Sequence, residues 1–236
     1  MKCIPNRELD ELGEGLVRTY LSKTKMIGTA RCVDIEGLAN SLGLNVTYED
    51  FAEADYDKIG FLADGKTSLL VRRSGEIVPF TFPFGTIVLD RGLCKENESG
   101  KRRFTIAHEV AHFILDRHNP VPQFHRNFDA QRNYSEEELR VQFNMTESQA
   151  DKLAASILMP FFLVERALRD IIHGKIVRIL GENVISPEDR ITLNKMAAQI
   201  GVSFSALLIR LRRLGMLEYH SVSEYIEMTL RMEVHC

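Results

Sequence analysis

The 236-residue sequence has no long apolar run. Its longest, "ILMPFFLV" at residues 157–164, falls far short of the ~20 residues that span a bilayer. Cysteine is scarce. Cys3, Cys32, Cys94 and Cys236 form no CxxC pair, and their spacings match no zinc ribbon or finger. The opening "MKCIPNRELDELG" lacks an apolar core of signal-peptide type. Free thiols and no leader are the pattern of a reduced, cytoplasmic protein with no membrane association, which is the expectation here. There is no large excess of one charge: the formal net charge of −3 argues against general polyanion binding, though not against a local basic face. Internal repeats and low-complexity segments are missing too. Tryptophan is absent, which by itself excludes nothing.

What remains is ordinary globular composition, 44% hydrophobic and 27% charged, with length for one core and a small second domain. Residues 7–22 read as a helix with Leu9, Leu12 and Leu16 among its apolar positions, and residues 34–44 as a second that Gly43 ends. Five short β-type runs fill 45–92: "NVTYEDF", "IGFLAD", "TSLLVRR", "IVPFTF" and "TIVLDRG". They predict one small, mainly antiparallel sheet. From residue 102 the pattern turns helical, interrupted by a polar, proline-broken loop at 119–134. Capping boxes mark two further helices, Ser135 with Glu138 and Thr146 with Gln149, the second helix ending at Pro160. The fold class is therefore α+β. The expected domains are 1–173 and a helical subdomain at 174–236.

The segment "RFTIAHEVAHFILDRH", 103–118, places three histidines and a glutamate in a mostly apolar helix. His108 and His112 are four apart, so they share one helix face with β-carbons about 5–6 Å apart. Two imidazoles at that spacing can both reach a Zn²⁺ ion at ~2.0–2.1 Å. Glu109 points to one side, where it can take a proton from a water activated at the metal. This is the H-E-x-x-H metallopeptidase arrangement, although two helix histidines satisfied by core hydrogen bonds would also fit the pattern.

A catalytic zinc needs a third protein ligand and an open position. His118 stands where the H-E-x-x-H-x-x-G-x-x-H pattern puts its third histidine, but that pattern turns the chain at a glycine and position 115 is Leu. On a continuing helix, His118 lies about 9 Å along the axis from His112 and cannot reach the metal. Glu147 is the favoured candidate. It shares a helix side with the apolar stripe Ala150, Ala154, Ile157 and Leu158, where a carboxylate must be paired, protonated or metal-bound. Asp151 follows one turn later on the same face, placed to accept the free N–H of a ligating histidine.

These residues resemble the ImmA/IrrE family of metallopeptidases. "RRFTIAHEVAHFIL" resembles that family's R-F-T-x-A-H-E-x-x-H segment, and "ESQADKLAASILMP" its E-x-x-A-N-x-F-A-A-x-L-L-M-P segment. Asp151 stands where Asn is usual and Leu153 where Phe is usual. "VDIEGLANSLGLNV" resembles the family's N-terminal helix and strand. The resemblance implies a zincin-like fold, with the small sheet packed on the H-E-x-x-H helix. It implies a gluzincin-like Zn²⁺ site held by His108, His112 and Glu147, with Glu109 as base; Mn²⁺ suits the same donors. It further implies a protein substrate, a helix-turn-helix transcriptional repressor whose cleavage relieves repression under stress or in mobile-element regulation. An oxyanion donor should exist among Tyr134, His118, His125 and the loop arginines. An extended substrate is expected to add along "TIVLD", residues 86–90, as a further strand.

The C-terminal stretch "NKMAAQIGVSFSALLIRLRRLG", 194–215, carries the turn pattern of a helix-turn-helix at Ala197 to Ser203. Gly201 permits the turn and Ser203 caps the next helix. Arg210, Arg212 and Arg213, with Arg190 and Lys195 nearby, make the segment locally basic. They are candidate contacts to substrate or DNA, with DNA binding the less favoured. The plainer reading is an all-α, helix-turn-helix-like subdomain with Leu207, Leu208, Leu211 and Leu214 as core. Two functions of different class follow. One is a zinc endopeptidase; the other is a DNA- or protein-binding regulator whose metal site is vestigial or structural. Retention of Glu109, with no nearby fourth Cys or His ligand, favours the enzyme.

Overall fold

Leucine, glycine, valine and leucine recur every fourth residue in the first helix, α1 (Asn6–Lys23), and Leu9, Gly13, Val17 and Leu21 are its buried stripe. Leu12, expected among the apolar contacts, is 41% exposed, and Leu16 is half-buried. The computed structural model of the chain describes residues 4–52, 58–115, 123–126, 145–173, 177–180, 184–221 and 223–224. By its contacts the chain divides into two units, residues 1–160 and 161–236. Among the described residues no helix is long and apolar enough to cross a membrane.

In the first unit, Asp34 caps α2 (Ile35–Ser41) by accepting the Gly37 amide at 3.0 Å. The helix closes in a Schellman turn. Gly43 sits in the left-handed region at φ 84°, its amide bonding to Asn40, while the Leu44 amide bonds to Ala39. The strands follow. β1 (Asn45–Glu49), β2 (Lys58–Leu62), β5 (Thr86–Asp90) and β6 (Gln123–Arg126) lie in a four-stranded sheet of order β1-β5-β2-β6. β1 runs parallel to β5, and the other two pairings are antiparallel. β3 (Ser68–Arg73) and β4 (Glu76–Thr81) leave this sheet and form a separate antiparallel hairpin. Ser74 and Gly75 turn it, both at positive φ (53° and 88°), as a two-residue hairpin loop demands. Leu69 and Val71 of the hairpin still join Phe61, Ala63, Phe82 and Val88 in one apolar core.

Two sequence expectations are corrected here. The segment expected to be loop at 119–134 contributes β6 (Gln123–Arg126), which pairs with β2. Strand "TIVLD" is not an edge: β5 lies between β1 and β2, its backbone groups already engaged on both sides, so no substrate strand can add there. Its burial on both faces, from Thr86 to Leu89, is that of a central strand. The predicted helix at 135–143, with its Ser135–Glu138 box, and the side chain of Thr146 lie outside the described residues. Gln149 Oε1 accepts the Ile4 amide at 3.4 Å.

Helix α3 (Ser99–Leu115) packs on β2 and β5 and against α4 (Met145–Leu158). Every residue of α3 from Thr105 to His112 is buried, so this part of the helix is enclosed all round rather than on one stripe. α1 backs α4 on its other side. A β-carbon at Gly13 would stand 2.5 Å from Ser156 Oγ, and that hydroxyl donates to the Asp10 carbonyl at 3.1 Å.

The second unit begins with α5 (Phe161–Ile172), whose Leu163, Val164, Ala167 and Leu168 are buried. α6 (Pro187–Ile200) starts at Ser186, which accepts the Asp189 amide, with Pro187 in the first turn. Gly201, left-handed at φ 77°, ends it, and Ser203 caps α7 (Phe204–Arg213) by accepting the Ala206 amide. The unit is not all-α. β7 (Val177–Leu180) and β8 (Leu217–His220) form a two-stranded parallel sheet, and α6 and α7 lie in the crossover that parallel pairing requires. The runs "VRIL" and "LEYH" are too short for alternation to mark them as strands. Leu207 and Leu211 are fully buried, whereas Leu208 and Leu214 are half-buried.

The α1–α4 approach gives a paired test on one helix. Gly15 is exposed with open space beside it, so Gly15→Ala should leave stability unchanged or raise it by up to ~1 kcal/mol through helix propensity. Gly13→Ala should lower stability by about 1–3 kcal/mol, because the added methyl overpacks the contact with Ser156. Thermal unfolding of the two variants checks the opposite signs.

Candidate metal centre

Two helices supply the site, each with a pair of residues four apart. α3 carries His108 and His112; α4 carries Glu147 and Asp151. The enclosure of α3 explains the burial: His108 and His112 are 1% exposed and Glu109 is 0% exposed. Polar side chains so deeply buried must find partners, and α4 provides them for the two histidines.

The donors converge. His108 Nε2 and His112 Nε2 are 2.9 Å apart. His108 Nε2 lies 3.2 Å from Glu147 Oε2, and His112 Nε2 lies 3.3 Å from Glu147 Oε1. Two donors each ~2.0–2.1 Å from a tetrahedral ion would stand about 3.3 Å apart. The three separations are thus close to the edges of such a polyhedron, and these residues form the group of ligating type among the described residues. The rings of His108 and His112 meet edge-on at 73°, with centroids 4.5 Å apart.

His108 Nδ1 lies 2.8 Å from Asp151 Oδ1. With Nδ1–H donating to that carboxylate, the lone pair is left on Nε2, the nitrogen that faces His112 and Glu147. Phe104, one turn earlier on α3, sets its ring 6.4 Å from the His108 ring on another side. Burial pulls His108 down, but hydrogen bonds to Asp151 and Glu147, with the charge of Glu109 behind them, outweigh it and raise the imidazole to about 10. Burial likewise pushes Glu147 up, yet hydrogen bonds from His108 and His112 hold its carboxyl well below the usual carboxylate range. The site favours positive charge at the point where the donors meet, and both nitrogens and carboxylate suit Zn²⁺ or Mn²⁺.

The other residues singled out from sequence fare differently. His118 and Tyr134 lie outside the described residues, and His125 falls in β6, of which only the backbone is described. Arg210 is 1% exposed, so as an outward contact to DNA or substrate it is corrected: its guanidinium lies inside the protein. Arg212 is exposed and donates to Tyr219 Oη at 3.1 Å, and Arg213 is half-buried. Phe104 was missed by sequence reasoning. Its signal was present, since it stands four residues before His108 on the same helix face.

Removal of ligands gives a graded expectation. His108→Ala, His112→Ala and Glu147→Ala should each abolish stoichiometric Zn²⁺ or Mn²⁺ binding measured by calorimetry. Asp151→Ala should keep it and weaken it about 10–100-fold, as loss of a histidine-orienting partner does.

The sequence comparisons agree with this geometry. The family model of M78 peptidases, the IrrE N-terminal-like domain, matches residues 39–212. That span takes in both site helices and α7 as far as Arg212. No curated protein matches the chain. Among solved structures, a Mycobacterium tuberculosis transcriptional regulator is similar over 87% of this chain and 46% of its own length, at 15% identity and a TM-score of 0.43. The chain therefore spans less than half of that protein, and a likeness at this level carries no argument. The family match rests on its own extent: covering more than half of the residues, it shows that the chain belongs to the M78 peptidase family of IrrE N-terminal-like domains.

Proposed function

We propose that the protein is a metal-dependent endopeptidase that hydrolyses a peptide bond in a helix-turn-helix transcriptional repressor and so relieves repression. One observation carries the peptidase reading: His108, His112 and Glu147 converge within 3.3 Å of one another, with Glu109 buried in the same turn of α3. The repressor as substrate rests on the resemblance to ImmA/IrrE proteins. A zincin-like arrangement, with the sheet against the H-E-x-x-H helix, is in keeping with the packing of α3 on β2 and β5.

His108, His112 and Glu147 would hold the ion, Zn²⁺ or Mn²⁺. The chemistry it supplies when bound is polarisation of the scissile carbonyl and activation of water. Asp151 keeps the His108 ring oriented through Nδ1. Glu109 takes the proton of the attacking water as its oxygen bonds to the carbonyl carbon. When the C–N bond breaks, Glu109 returns that proton to the departing amine. The enclosure of α3 keeps competing bulk water from the buried carboxylate.

The test uses the metal-loaded chain and the helix-turn-helix repressor encoded nearest its own gene. The wild type should cleave it. Glu109→Gln should still bind metal and cleave about 10²–10⁴-fold more slowly, the usual worth of a positioned base. If neither cuts with metal demonstrably bound, the peptidase reading is wrong and a binding regulator with a structural metal site takes its place.

A further inference from the structure

Phe84 is a large aromatic left 59% exposed in a connection that the fold holds rigidly. It lies between β4 and β5 in "FPFG", residues 82–85. The Gly85 amide bonds to the Ala63 carbonyl at 3.1 Å, the Asn45 amide bonds to the Gly85 carbonyl, and the Thr86 amide returns to Pro83. Gly85 is left-handed at φ 77°. The β2–β3 turn braces the other side. Gly65, at φ 78°, comes so close that a β-carbon there would stand 3.3 Å from the Phe84 nitrogen. Asp64 fixes that turn by accepting the amides of Lys66 and Thr67 at 2.8 and 2.7 Å.

The Phe84 ring is aimed at α3. Its neighbour is Phe113, half-buried, with centroids 6.4 Å apart and planes tilted by 53°. Phe113 stands four residues after Glu109, so the two share one side of α3, and Phe84 meets the helix on the side that carries the candidate base. Nothing in the turn chemistry demands an aromatic at position 84, where a polar residue would be better solvated. An apolar side chain held rigid and exposed gains binding energy without losing much conformational freedom when a partner covers it.

We propose that Phe84 and Phe113 form the subsite that receives an apolar side chain of the substrate beside the scissile bond. This rests on the peptidase reading and adds what the cleaved segment must carry. Phe84 is a specificity-determining residue that contributes to substrate binding and takes no part in proton transfer. The repressor segment that enters the site has an aliphatic or aromatic residue flanking the cut, and covering Phe84 with it completes the apolar wall.

The experiment measures binding and cleavage separately on the full, metal-loaded chain. Binding of the repressor encoded nearest the gene is read by fluorescence anisotropy in the Glu109→Gln background. Cleavage is read in the wild-type background. Phe84→Ala should weaken binding and raise KM by at least about ten-fold, with kcat nearly unchanged. Phe84→Leu should restore most of the loss. Metal affinity and Tm should stay at wild-type values, because the Phe84 side chain is exposed and is not among the ligating residues. Replacing the apolar residue beside the mapped cut with Ser should cost the wild type about ten-fold and the Phe84→Ala variant little more. Binding and KM unchanged in Phe84→Ala, or a cut flanked only by polar residues, would overturn the subsite while leaving the peptidase intact. Repressor bound but not cut by the wild type would sink the peptidase reading, with the anisotropy then deciding whether Phe84 contacts that partner. Absence of both binding and cleavage overturns both.

Discussion

Burial of α3 is the constraint on which the site depends. Eight consecutive residues of that helix, Thr105 to His112, are cut off from solvent, and three of them carry ionisable side chains. An isolated charge in such a place is costly, so the neighbouring helix must answer with charge of its own. α4 does so with Glu147 and Asp151, one on each nitrogen of His108. The same contacts order the imidazole, concentrate negative potential at the donors and fix how α4 is turned toward α3. Packing and chemistry are here a single requirement.

The sheet serves that helix. β5 is central, buried on both faces, and forms with β2 the surface on which α3 rests. The hairpin β3–β4 adds apolar side chains to the core without joining the sheet. The connections at this end of the sheet, around Gly65 and Gly85, are then free to present side chains toward the His112 end of α3.

The elements most legible in the sequence were those set by neighbours in the chain. The H-E-x-x-H spacing, the pairing of Glu147 with Asp151 and the Gly201–Ser203 turn all depend on helix period and local capping, and the structure has each where the pattern places it. What pairs across long distances was not legible. Five β-type runs looked alike, and only tertiary contacts separate the hairpin from the sheet and make β1 parallel to β5. β6, β7 and β8 are four residues each, too short for alternation to outweigh a proline-rich or helical setting. Arg210 misled for a chemical reason. Arginine is rarely enclosed, so a basic helix end reads as surface, yet this side chain is among the largest fully buried ones.

The seating of α1 against α4 has a consequence that reaches beyond stability. Ser156, locked to Asp10 and facing Gly13, stands nine residues beyond Glu147, roughly 13 Å along the helix at ~1.5 Å per residue. It therefore acts as a phase reference for the two carboxylates. Losing or gaining one residue between Glu147 and Ser156 would swing at least Glu147 by about 100° around the helix axis while Ser156 stayed in its notch. A substitution along that span acts at its own position, but a change in its length is read as angle at the metal centre.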